Sequence, residues 1–256
     1  LDKAVYSIIR SKLVEAFGGA FEEVIVGGAP LNSEVEEFLV RIRFPMTVGF
    51  GMTECGPLIS YSPWRRFEPG SAGRTLKGIM EARIVPDSTL PLRDGHPQGE
   101  IIVRGLNVMK GYYKNPEATA AALDADGWLH TGDMGWLSAP SDRTVHIRGR
   151  YKTMILTANG QNIYPEEIEA KLSNMPYVNE CLVIERRGHL VALCHPDADQ
   201  VVRDGLSDAQ LADAMQANLA ALNALVAPYE RVQQIEIMPN EFEKTPKRSI
   251  RRFLYK

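Results

Sequence analysis

Apolar residues recur at Val5, Ile8, Ile9 and Leu13, a spacing that predicts a helix from Asp2 to Phe17 with one apolar face. The run Glu23-Val24-Ile25-Val26 then reads as a buried strand, stopped by Gly27-Gly28-Ala29-Pro30. Asn32 and Ser33, with Glu36 three residues beyond Ser33, mark a helix start of the capping-box kind. That helix is expected to run to about Arg43, ahead of a second short strand from Met46 to Phe50. Alternating helix and strand over residues 1–66 predicts a parallel sheet.

From about Pro69 the pattern changes to short strands broken by Gly and Pro, such as Glu81 to Val85 and Glu100 to Arg104, with one helix near Pro116 to Leu123. Residues 67–148 therefore read as a small β subdomain. Beyond Arg148 the order becomes strand (Thr153 to Leu156), helix (Pro165 to Asn174), two strands (Asn179 to Glu185, His189 to Cys194), helix (Asp208 to Val226) and strand (Gln233 to Ile237). This predicts a compact α+β domain over residues 149–256, so the fold class is α/β followed by α+β.

The 256 residues suffice for two domains, and a formal net charge of −3 argues against a nucleic-acid partner, whose phosphates require a basic face. Cys55, Cys181 and Cys194 are an odd, scattered set without CxxC spacing, which suggests neither a disulfide framework nor a zinc site and points to reducing cytoplasm. The five histidines form no ligand pair at helical spacing. No apolar run approaches the length of a membrane span. The basic residues Lys247, Arg248, Arg251, Arg252 and Lys256 read as a solvated face, with peripheral contact to a membrane as the other reading. Oligomeric state is not legible.

Three polar motifs carry candidate chemistry. The two apolar strands end in Gly28-Ala29-Pro30 and in Gly49-Phe50-Gly51-Met52-Thr53-Glu54, and in an open α/β sheet ligands sit beyond such strand ends. Glycines let backbone approach a flat ring, Phe50 can stack on it, Thr53 can bond a phosphate oxygen and Glu54 can hold a hard cation. Taken alone, a Thr-Glu after Gly reads first as ordinary turn chemistry. In Gly127-Trp128-Leu129-His130-Thr131-Gly132-Asp133, Asp133 can accept hydrogen bonds from two vicinal hydroxyls or simply close an Asx turn. Trp128 and Trp136 read as packing residues of the β subdomain. The third motif runs from Ile147 to Glu169: a basic turn, an apolar strand, a Gly/Asn loop and a helix entered through Tyr164-Pro165-Glu166-Glu167.

In this order and wording the three motifs resemble the adenylate-forming superfamily of acyl-CoA synthetases, adenylation domains and luciferases, along essentially the whole chain. Gly105-Leu106-Asn107-Val108-Met109-Lys110-Gly111-Tyr112-Tyr113 and Asn159-Gly160-Gln161-Asn162-Ile163-Tyr164-Pro165 look most like a bacterial long-chain fatty-acid-CoA ligase. The resemblance implies that residues 1–148 end a parallel-sheet adenylate-binding domain and that 149–256 form a mobile C-terminal domain hinged near Lys152. It implies ATP, Mg²⁺ and CoA, with a carboxylic acid, here a fatty acid, as substrate. Gly28, Ala29, Pro30, Phe50 and Gly51 would frame adenine, Thr53 would touch phosphate and Glu54 would bind Mg²⁺. Asp133 and Arg150 would hold the ribose, and Gly160 would line the pantetheine tunnel.

Three departures qualify the resemblance. The family's Ser/Thr/Gly-rich phosphate loop ending in Pro-Lys-Gly is absent, so the chain is expected to be the C-terminal portion of a longer enzyme. Losing one such donor costs roughly 3 kcal/mol of transition-state stabilisation. At the C-terminal lysine motif, Thr245-Pro246-Lys247-Arg248-Ser249-Ile250 puts Ser249 in the lysine's position. In an extended segment Lys247 would share a face with Ser249 at about 7 Å, so Lys247 reads either as the substitute or as a plain solvated lysine. Gln161 departs where some relatives carry an arginine facing CoA phosphate. An adenylation domain loading a carrier protein and a non-catalytic acyl-adenylate binding module are the competing readings.

Overall fold

The computed structural model describes residues 2–28, 31–138, 143–157, 160–246 and 249–255. The chain divides into two compact units between Ile147 and Arg148.

The first unit opens with α1 (Asp2–Ala16), β1 (Val24–Val26), α2 (Ser33–Arg41) and β2 (Met46–Val48). β1 and β2 pair in parallel, with Val24 opposite Met46 and Val26 opposite Val48, as the alternation predicts. Helix α1 turns Tyr6, Ile9 and Leu13 onto a core of Ile42, Phe44 and Met46. Val5 and Ile8, expected on that face, are exposed because the buried stripe starts one residue later. The expected capping box is replaced by a simpler cap. The Asn32 side chain itself accepts from Glu34 N and Val35 N at 3.0 and 3.1 Å. Glu36 instead turns inward and accepts from Gly70 N at 2.5 Å. Burial raises its pKa while the Gly70 bond pulls the other way.

The expected strand Met46 to Phe50 is two strands in two sheets. Gly49 ends the parallel pair, and β3 (Phe50–Gly51) starts a seven-stranded sheet with β4 (Leu58–Tyr61), β5 (Arg74–Thr75), β6 (Met80–Pro86), β7 (Gly99–Gly105), β8 (Leu129–Ser138) and β9 (Thr144–Arg150). The strand order is β3-β4-β5-β9-β8-β7-β6. β5 and β6 are consecutive in the chain, yet three strands separate them, about 19 Å in a flat sheet. The residues between them fold into a turn, with Met80 N bonded to Leu76 O at 2.9 Å. The sheet must therefore curl, and its concave face closes on Ile59, Met80, Ile101, Val103, Leu129 and Val145. Trp128 is buried between the guanidinium groups of Arg83 and Arg104, 4.5 and 4.7 Å from its ring. Trp136 stacks on His146 at 4.7 Å. Both are packing residues.

In the second unit a 3-10 turn (Tyr151–Thr153) occupies the place where a strand was expected to begin, because the Thr153 hydroxyl bonds back to Arg150 O at 3.0 Å. β10 (Ile155–Leu156) then pairs antiparallel with β11 (Asn162–Ile163). α4 (Pro165–Leu172), β12 (Val178–Arg186), β13 (His189–Pro196), α5 (Ala198–Asp204), α6 (Asp208–Leu225) and β14 (Val232–Ile237) follow. β12 and β13 are antiparallel, and β14 joins β13 in parallel. Helices α4 and α6 cover one face through Ile168, Leu172, Leu211, Met215 and Leu222. The short helix α5, absent from the sequence reading, is capped by Asp197, which accepts from Gln200 N, and stops at Gly205 with φ 66°. No helix among the described residues is long and apolar enough to cross a membrane.

Candidate functional site

Parallel strands end on the same side, so the loops after β1 and β2 converge. Gly49 N donates to Val26 O at 2.9 Å, and a Cβ on Gly27 would lie 3.4 Å from Gly49 O, so the two glycine loops abut. Gly28 has φ 86°, is exposed and has nothing within 4 Å of where a side chain would start, leaving its backbone accessible. Gly51 is fixed by crowding: a methyl there would overlap the Pro57 carbonyl, which also accepts from Met52 N at 2.7 Å. Phe50 departs from its expected part. Its ring is 6% exposed and belongs to the core of the curled sheet, so it offers no open platform for stacking. Strand alternation forces this, since Phe50 and Gly51 face opposite sides.

Thr53 and Glu54 stand in a 3-10 turn (Thr53–Cys55), with Thr53 exposed. The segment following β7 holds this turn: Met109 N donates to Glu54 O at 2.7 Å, and the Asn107 amide donates to Cys55 O and Leu58 O at 2.5 and 2.8 Å. The Tyr112 hydroxyl donates to Glu54 Oε1 at 2.9 Å, which raises the pKa of the phenol. No group of three His, Cys, Asp or Glu that could hold a metal occurs among the described residues. A lone, half-exposed carboxylate suits Mg²⁺, which keeps most of its waters and takes phosphate oxygens. Asn107 and Tyr112 were read only as markers of a family branch, although their polar side chains inside an otherwise apolar stretch were the available signal.

Asp133 is buried at 6% exposure within β8. Its N–H donates to Thr131 Oγ1 at 3.1 Å, and that hydroxyl donates to Ile101 O at 2.6 Å. Glu100 grips the same stretch, meeting His130 Nδ1 at 2.8 Å and accepting from Gly132 N at 3.0 Å. The ladder slips register between Glu100 and Ile102, and Gly132 takes φ 70°, so Asp133 sits just past a braced irregularity. Nothing in the spacing of Glu100 marked it for this part.

In the second unit Arg150 and Lys152 are exposed at the turn that opens it. Beside them Arg148 is clamped, bonding Glu167 at 2.8 and 3.2 Å with its guanidinium 4.4 Å from the Tyr164 ring centre. Gly160 has φ 76° and nothing within 4 Å of a would-be Cβ. Ala29, Pro30 and Lys247 lie outside the described residues. On either side of Lys247, Thr245 N bonds Ser249 O at 2.9 Å.

The AMP-binding enzyme family matches residues 4–113, and the AMP-binding enzyme C-terminal domain matches residues 152–255. The chain belongs to the AMP-binding superfamily. This AMP-binding chain is 39% identical over 189 residues to 4-coumarate-CoA ligase 2 of Narcissus pseudonarcissus, covering 70% of this chain and 32% of that protein. It is 34% identical to probable acyl-activating enzyme 16, chloroplastic, of Arabidopsis thaliana, over 72% of this chain and 26% of that one. ATP-bound MatB from Rhodopseudomonas palustris shares its fold with a TM-score of 0.73 at 26% identity, over 98% of this chain and 48% of that chain. The chain spans about a third of the length of the curated relatives it matches. The bacterial long-chain fatty-acid ligase type finds no support among these relatives.

Proposed function

We propose that this AMP-binding chain is the C-terminal portion of an ATP-dependent acid:CoA ligase. The observation carrying the proposal is the meeting of two glycine loops beyond parallel strands, continuing directly into a turn whose carboxylate, Glu54, is held in place by Tyr112. Gly28 and Gly51, with Ala29 and Pro30, would give backbone access to adenine, to which Phe50 adds only its main chain. Thr53 would bond a phosphate oxygen. Asp133, on a backbone held by the Glu100 and Thr131 bonds, would accept from the ribose hydroxyls, with Arg150 as their second partner by the same resemblance. Glu54 would hold Mg²⁺, which supplies charge neutralisation for the triphosphate.

A carboxylate is a poor electrophile, and its attack on the α-phosphorus of ATP expels pyrophosphate and leaves an acyl-adenylate. The CoA thiol then displaces AMP. Lys152, at the start of the second unit, would be the hinge between these half-reactions, Gly160 would border the pantetheine, and Lys247 would assist the first step. Among acids, the relatives' names favour 4-coumarate; the motifs at 105–113 and 159–165 favour a long-chain fatty acid. ATP–pyrophosphate exchange decides the matter, run on this chain supplemented with the N-terminal part of a 4-coumarate-CoA ligase, against acids from acetate to palmitate and 4-coumarate. Exchange with any of these acids supports the ligase reading and names the acid class. Folded, AMP-binding protein that exchanges with none would instead favour the binding-module reading, toward which Ser249 in the family's lysine position already points.

A further inference from the structure

The second unit contains a half-buried ionic cluster to which none of the site residues belongs. Arg252, in the final 3-10 turn (Arg252–Leu254), pairs with Glu169, donates to Val183 O at 3.3 Å and lies 3.7 Å from Glu166 Oε1. Glu169 in turn accepts from Val183 N at 2.6 Å. β12 is the edge strand of its sheet, so the pair supplies one acceptor and one donor to Val183, as a neighbouring strand would. Glu166 extends the cluster to the start of the unit: it accepts from Thr153 Oγ1 at 2.6 Å, and that hydroxyl also bonds Arg150 O.

The C-terminal segment attached to Arg252 is itself a closed hairpin. Arg251 N bonds Glu243 O at 2.9 Å, Lys244 bridges Ile250, and Thr245 N bonds Ser249 O. Its other leg is pinned by Phe242, buried beside Leu182, Leu193 and the edge of Tyr255, and by ion pairs from Lys244 to Glu180 and Glu241. Arg252 is the corresponding tie of the second leg.

We propose that Arg252 is a positioning residue that locks the C-terminal hairpin and the Tyr151–Thr153 turn to α4 as one rigid frame. The two legs of the hairpin, at residues 243–245 and 249–251, are thereby held at a fixed place relative to that turn. The meaning for catalysis rests on the acid:CoA ligase reading, which gives roles to Lys247, between the two legs in sequence, and to Lys152 in the turn. The frame itself does not depend on that reading.

Hydrogen–deuterium exchange of the 256-residue chain tests the proposal. Arg252→Met is expected to speed exchange at residues 249–255 and 150–154 about tenfold, while residues 190–194 of the sheet stay within about twofold. Arg252→Lys, which keeps the charge, should restore most of the protection at 249–255. Glu166→Gln should loosen 150–154 alone and serves if Arg252→Met does not fold. Unchanged exchange at 249–255 in Arg252→Met, equal loosening of 190–194, or a lysine variant no better than methionine would each overturn the proposal. An enzyme without pyrophosphate exchange would overturn the ligase reading and leave these patterns intact.

Discussion

Burial lifts the Glu169 carboxyl from 4.5 to about 7, against the pull of Arg252 and of the Val183 N–H. Its folded pKa therefore lies above its unfolded one, and the folded protein holds that proton more tightly. The resulting stability is full below about pH 4.5 and is lost as pH rises through about 7. Glu169→Gln cannot titrate, so its urea midpoint is expected to be flatter than that of the parent between about pH 5 and pH 7. An unchanged slope would remove Glu169 as its source. A second residue-level consequence concerns Gly51. Its alanine variant must push the Pro57 carbonyl aside, and a loss of about 2–3 kcal/mol in denaturant unfolding is expected. Gly160→Ala meets no neighbour and should cost only about 1 kcal/mol, from its positive φ.

Among the elements, α6 has the most complete start. Ser207 Oγ accepts from Gln210 N, and the Gln210 side chain accepts from Ser207 N at 2.9 Å, so two orphan donors are satisfied together. Ser207→Ala is expected to cost about 1 kcal/mol, read as a lower urea midpoint. Because α6 supplies Leu211, Met215 and Leu222 to the core, hydrogen exchange should loosen first at its own N-terminal turn. At α2 the same kind of pattern misled. Ser33 and Glu36 have capping-box spacing, yet Asn32 caps the helix alone, and Glu36 finds a stronger demand at Gly70 N, 34 residues away. Local sequence registers the cap; it does not register a distant N–H that needs an acceptor.

For the whole molecule, the absent phosphate loop carries the clearest expectation. On the acid:CoA ligase reading, acyl-CoA formation by the 256-residue chain alone should be negligible, since losing even one phosphate donor costs roughly 3 kcal/mol. Turnover within about tenfold of a complete relative would contradict this. The curled sheet has its own consequence, because it draws Phe50 and Tyr61 into one layer with strands beyond residue 74. The turn bearing Glu54 is thereby placed against the segment bearing Asn107 and Tyr112, more than 50 residues on.

Period-3.6 and period-2 patterning, with glycine and proline as punctuation, was enough to read the parallel β1–β2 pair, the α+β second unit and the short stops at Gly28, Gly51 and Gly160. These are local properties, set by backbone sterics and by which face of an element is apolar. The sequence likewise sufficed for family membership, because its motifs lie in order along the chain. Long-range pairing decided the rest. The register of β12 on β13 sets Cys181 opposite Cys194, although the two are scattered in sequence, and burial pushes both thiols up, Cys194 to about 12. Strand alternation within a curled sheet turned the Phe50 ring into the core. Glu36, Glu100 and Glu169 took their partners from other elements: a buried carboxylate bonds whichever N–H or guanidinium the fold brings to it, and spacing along a chain does not encode that proximity.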